Sequence, residues 1–111
     1  MNGMDSGSLV IVHCSNPKEK MWGLLLRLDG TGAVVRGMDL VTVEDWLRQE
    51  RAGEPALIGP STFFIPGHRL VRIDLDESGV VVDSYGDRYR QACGRAVEDV
   101  LLGTAPDEAS D

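Results

Sequence analysis

LVIVH at Leu9–His13, MWGLLLRL at Met21–Leu28, DGTG at Asp29–Gly32 and AVVRGM at Ala33–Met38 together decide how this chain folds. The first run is continuous and β-branched, the composition of a short buried strand. Ser15-Asn16-Pro17-Lys18-Glu19-Lys20 breaks it with an Asn-Pro turn and a charged loop. The second run is again apolar, and Gly23 within it marks a strong bend or a close backbone approach. Asp29-Gly30 supplies the positive φ of a hairpin turn, so Ala33–Met38 returns alongside. These pieces form an antiparallel meander.

Beyond Met38 the period changes. Thr42 followed by Asp45 resembles a capping box, with Asp in place of the usual Glu or Gln. Val43, Trp46 and Leu47 then make one apolar stripe on a short helix, residues 43–52, with Gly53 as its stop. A loop carrying Pro55, Gly59 and Pro60 leads to a fourth strand, Thr62–Ile65, which ends at Pro66-Gly67. Val71, Ile73 and Leu75 alternate with Arg72 and Asp74 in a fifth strand, and Val80–Val82 reads as a sixth. Tyr89, Cys93, Val97 and Val100 recur at helical spacing over residues 85–102, with Gly94 leaving one helix or two open. Residues 1–8 are expected to be a flexible tail and 103–111 a disordered acidic one. The chain is thus expected to be mainly β, a small bent five- to six-stranded antiparallel barrel over residues 9–84. A short inserted helix and a C-terminal helix complete it, and closure would remove the exposed strand edges. Its core should include Val10, Val12, Leu24 or Leu25, Val34, Ile65 and Ile73, with Trp46 seating the inserted helix on the barrel.

The 111 residues are 42% apolar and 26% charged, which excludes global disorder and fits one domain. Eighteen acids against 11 bases give −7; without the three acids beyond Gly103 the remainder is still −4. That balance argues against a general grip on nucleic acid and against DNA specificity, and any RNA binding would need a local basic patch. No apolar run is long enough to span a membrane, and no signal peptide is legible at the N-terminus. Cys14 and Cys93 make no disulfide framework, which fits a reducing, cytoplasmic setting.

The order strand, bent strand, return strand, then two strands across a very short turn resembles the Sm-like family. Its first motif corresponds to Leu9–His13 followed by Gly23, Leu25 and Asp29 in the Gly-x-Leu-x-x-x-Asp spacing. Its second corresponds to Phe63-Phe64-Ile65-Pro66-Gly67-His68-Arg69-Leu70-Val71-Arg72-Ile73. The resemblance covers about residues 9–75. It implies subunits joined fourth strand to fifth strand in a homo-oligomeric ring, with Phe63, Phe64, Ile65, Val71 and Ile73 at the interface. It also places Asp29, Gly67, His68, Arg69 and Arg72 where a ligand or RNA would bind. The family's base-contacting Asn corresponds to Ala33 and its Arg to Pro66, so base recognition is not carried over and any RNA binding would be weak. A monomeric SH3-like or PRC-type barrel uses the same strands.

His13, Cys14, His68 and Cys93 are the soft ligands available, but neighbours on a strand point to opposite faces and no paired metal spacing exists. Neither cysteine sits in a nucleophile elbow, and Gly30-Thr31-Gly32 lacks the Lys and helix of a phosphate loop. No enzyme activity, cofactor or metal is expected. Arg69 and Arg72 have a plainer role available, pairing with acids such as Asp74 or Asp29. Asp74, Asp76 and Glu77, at a strand end and turn, read as a solvated acidic run. Arg88, Arg90 and Arg95 read as a solvated helix face. One of Phe63 and Phe64 must face away from the core, as a subunit contact. The expected function is a non-enzymatic binding or scaffolding module, its ligand a protein, with an RNA-binding ring as the alternative.

Overall fold

The computed structural model describes residues 5–103. Along the chain run β1 (Leu9–Cys14), β2 (Glu19–Asp29), β3 (Gly32–Asp39), α1 (Leu40–Ala52), β4 (Ser61–Pro66), a 3-10 turn (Gly67–Arg69) and β5 (Leu70–Leu75). Two short helices follow, α2 (Tyr85–Cys93) and α3 (Val97–Leu101). The five strands form one antiparallel sheet in the order β4-β3-β2-β1-β5. The molecule is a mixed α/β domain: a five-stranded sheet, an inserted helix and C-terminal helices.

Both faces of the sheet are apolar, so β1 and β2 read as continuous hydrophobic runs rather than alternating ones. Val10, Val12, Cys14, Leu25, Ala33, Val35 and Ile65 fill one face, joined by Phe63, Leu70, Ile73 and Leu75. All five strands contribute to that cluster, so the sheet curls around it. Trp22, Leu24 and Met38 on the other face pack against Val43, Trp46 and Leu47 of α1, Tyr89 of α2, and Val97 and Leu101 of α3. The curl is set where glycines meet: Gly23 pairs with Gly37 across β2 and β3. A Cβ on Gly37 would lie 1.9 Å from the Trp22 carbonyl oxygen, and one on Gly23 would lie 2.4 Å from that of Arg36. Main chain cannot yield there as a flexible side chain could. Gly37→Ala should therefore cost about 3 kcal/mol by overpacking, while Gly30→Ala, which has open space around it, should be near neutral. Urea unfolding of the two variants checks this.

Several expectations are corrected. The barrel is not closed: β4 and β5 are the two ends of the sheet and do not pair with each other. The sixth strand is absent, and Val80–Val82 sit in a loop, exposed. Val34 is only half-buried; its neighbours Ala33 and Val35 take the core face because period-2 alternation places them there. The inserted helix begins at Leu40, with Asp39 at its N-cap and no side-chain cap, so the Thr42/Asp45 box does not form. Asp45 instead meets Arg48 at 2.8 Å. Gly53 ends that helix in the left-handed region, φ 67°, as expected. The C-terminal helix is two, because Gly94 takes φ 75° and closes α2. In the hairpin turn the positive φ falls on Gly32, 152°, rather than on Gly30.

Of the segment expected as a tail, residues 1–8, the structure describes residues 5–8. Gly7 donates to the Leu25 carbonyl, and Leu25 donates to that of Ser8, at 2.7 and 2.8 Å, which ties residues 5–8 to β2. Residues 1–4 and 104–111, including most of the acidic tail, lie outside the described residues. Arg88 does more than face solvent: its guanidinium, still partly exposed, meets both Glu44 oxygens at 2.7 and 2.8 Å and joins α2 to α1. That bidentate pair holds the Glu44 carboxyl below its usual range.

Candidate functional site

The residues singled out from the sequence separate into three places. At one end of the sheet the β2–β3 turn meets the β4–β5 turn. There the Asp29 carboxylate accepts from the Thr31 N–H and hydroxyl at 2.8 and 2.6 Å, an Asx turn that lowers the carboxyl's pKa. The Gly67 N–H donates to the Thr31 carbonyl at 2.8 Å, so Asp29 and Gly67 come together, with His68 exposed beside them.

Arg69 turns the other way. Its guanidinium donates to the carbonyls of Ser15 and Pro17 at 3.0 and 2.8 Å and meets Glu19 at 3.3 Å. Two carbonyls of the β1–β2 loop and the carboxylate of the first residue of β2 give it a structural role, fastening that loop to the start of β5. Arg72 pairs with Asp74 at 2.9 Å, and the second Asp74 oxygen lies 3.0 Å from His13 Nε2. Arg72 first, then His13, hold the Asp74 carboxyl below its ordinary range. The plainer reading of the two arginines thus describes Arg72–Asp74, whereas Asp29 takes Arg27 as its partner at 3.2 Å.

The third place is the pair of outer strands. Phe64 on β4 is 49% exposed and Val71 on β5 is 63% exposed, while Phe63, Ile65 and Ile73 turn to the inner cluster. Antiparallel ladders alternate hydrogen-bonded and non-hydrogen-bonded pairs. The Gly67-to-Thr31 bond fixes the phase on β4, so the N–H of Phe64 points away from β3. The Asp76 N–H donates to the Leu9 carbonyl and fixes it on β5 as far as the register shift at His13/Cys14, so the N–H of Ile73 points away from β1, and Val71 is the extra residue at that shift. Each end of the sheet therefore presents backbone groups outward beside a large apolar side chain. That phase is invisible in composition, since it depends on register.

Asp76 is not part of a solvated acidic run. Its oxygens accept from the Trp22 indole N–H at 3.0 Å and from the Tyr85 and Gly86 N–H groups at 3.0 and 3.1 Å. It holds the end of β5, the fully buried Trp22 and the first turn of α2 in one place. Its position nine residues before a helix start carried no recognisable signal.

Among the described residues no three of His, Cys, Asp and Glu gather as metal ligands, and no helix is long and apolar enough to cross a membrane. Cys14 belongs to the inner cluster and burial pushes its thiol up, so the nucleophilic thiolate is disfavoured. Cys93 is partly exposed. A short pulse of iodoacetamide at pH 8 should label Cys93 and spare Cys14 until urea unfolds the chain, as peptide mass mapping would record. No protein-family model, curated protein or solved structure matches this chain.

Proposed function

We propose that this chain is a non-enzymatic, self-associating β module of the Sm-like type, a ring-forming scaffold whose ligand is a protein. The observation that carries the reading is the pair of outward-facing edges, β4 with Phe64 and β5 with Val71, at opposite ends of one curled sheet. An open edge with exposed apolar residues is a template for another strand, and a neighbouring copy supplies one. Pairing β4 of one copy with β5 of the next uses two different surfaces, so repetition closes a ring or grows a filament. The strand order, the glycine-set bend of β2 and the three-residue turn between β4 and β5 support the Sm-like comparison, and with it ring closure. Two unpaired cysteines fit a reducing, cytoplasmic setting. A protein ligand is favoured over RNA because Arg69 and Arg72 are engaged within the fold and the chain carries net negative charge.

Sedimentation at micromolar concentration tests the assembly. The parent should run as a multiple of 12.1 kDa. Phe64→Pro should run as a monomer with little change in thermal unfolding, because the lost N–H faces outward and edge positions tolerate proline. A parent chain that sediments as a monomer overturns the ring.

A further inference from the structure

The loop after β5 holds Val80, Val81 and Val82 at 104, 91 and 71% exposure. A bond of 2.8 Å from the Gly79 N–H to the Val82 carbonyl folds them into a protruding knuckle. Three consecutive exposed apolar side chains contribute nothing to the core, and such runs on a protein surface mark contacts. The charged residues next to the knuckle along the chain are all acids. Glu77, Asp83 and Asp87 flank it, and no Lys or Arg occurs between Arg72 and Arg88.

A cleft of about 410 Å³ lies at the other end of β5. Cys14, Pro17 and Val71 give it apolar lining, and Lys18 and Lys20 bring positive charge; its one acid, Glu19, is engaged by Arg69, and its Arg72 by Asp74. Lys18 and Lys20 are exposed and make no ion pair among the described residues. The register places the two features apart: Asp76 pairs with Leu9 on the knuckle side, and Arg69 meets Ser15 on the cleft side. A knuckle that is apolar and acidic and a cleft that is apolar and basic thus leave opposite ends of the same strand.

We propose that the Val80–Val82 knuckle of one copy seats in the Pro17–Val71 cleft of a second copy, its carboxylates facing Lys18 and Lys20. This rests on the reading of the chain as self-associating and adds a contact to it. It uses the ends of β5 and the adjoining loops, and shares the Val71 side chain, but no outward backbone group, with the edge that pairs with β4. The contact is head-to-tail, so in an assembly built on the β4–β5 edge it joins one ring to the next. A lipid surface fits less well, because carboxylates surrounding the valines oppose anionic headgroups.

The test places the photo-cross-linker p-benzoylphenylalanine at Val81 and mixes 14N-labelled and 15N-labelled chains. Cross-links between isotopically distinct copies should fall within residues 14–20 or on Val71 and Arg72. Lys18→Glu with Lys20→Glu should abolish them, and adding Glu77→Lys with Asp83→Lys to the knuckle copy should restore them. Serine at all three valines should weaken self-association on the order of tenfold or more without altering thermal unfolding. Cross-links elsewhere, or cross-links indifferent to the charge changes, overturn the proposal. So does co-sedimentation with phosphatidylcholine vesicles that the serine variant loses, which would assign the knuckle to lipid. Phe64→Pro should keep the cross-link, so failure of the edge contact and failure of the knuckle contact read out separately.

Discussion

Trp46→Ala is expected to lower the free energy of unfolding by about 3–5 kcal/mol, the range for truncating a fully buried aromatic. Trp46 is 1% exposed and stands between two other aromatic rings. The Tyr89 ring stacks on it at 5.2 Å with a 20° interplanar angle, and Trp22 lies 5.9 Å away, tilted by 44°. Removing it leaves a void among α1, α2 and the outer face of the sheet, where no single neighbour can close the gap. The Tyr89 hydroxyl, which bonds Glu50 at 2.6 Å, anchors the ring on the far side and limits relaxation. Urea unfolding monitored by circular dichroism measures the loss. An unchanged midpoint would mean that α1 is not docked on the sheet.

Asp76→Ala is the second large effect, expected at about 3 kcal/mol because hydrogen bonds to a charged group are worth roughly 1.5–3 kcal/mol each and one donor is stranded in the core. The Trp22 indole has no exposed surface and would lose its acceptor. Tyr85 and Gly86 would lose theirs at the start of α2, leaving Ser84, which accepts from the Asp87 N–H, to cap the helix alone. Asp76→Asn keeps one acceptor oxygen and should fall between parent and alanine variant. The near-ultraviolet dichroism of Trp22 would report the loosened indole. Equal stability of all three proteins would remove Asp76 as the joint between sheet and helices.

Much of the strand pattern was legible from residue order, for a local reason. A β-branched run, an Asn-Pro break and an Asp-Gly turn each act within a few residues, and β1 to β5 fall where those signals place them. Gly23 was legible as a bend because a missing side chain inside an apolar run lets main chain approach main chain. Its partner Gly37, inside the return strand, becomes recognisable only through the register that pairs the two. Val80–Val82 differ for the complementary reason. Their β propensity is real, but a strand requires an edge in register. The chain instead turns at Gly79, beyond an Asp76 held by Trp22 and α2. Among the candidate site residues, Arg69 has the chemistry of a ligand-binding cation in the sequence, yet its acceptors come from a loop more than fifty positions earlier.

Residue order alone located β1 to β5 and the stop of α1 at Gly53, and left Gly94 as either a break or a weak point of one helix, since propensity, turn chemistry and glycine freedom are properties of a few adjacent residues. Folding in three dimensions decided that the sheet stays open between β4 and β5, that Asp76 is a part-buried joint while Asp29 is a turn cap, and which N–H groups face outward. Those outcomes depend on curvature, register and hydrogen-bond partners between residues far apart in the chain. Trp22 and Asp76, 54 positions apart, meet at 3.0 Å only once the sheet has curled.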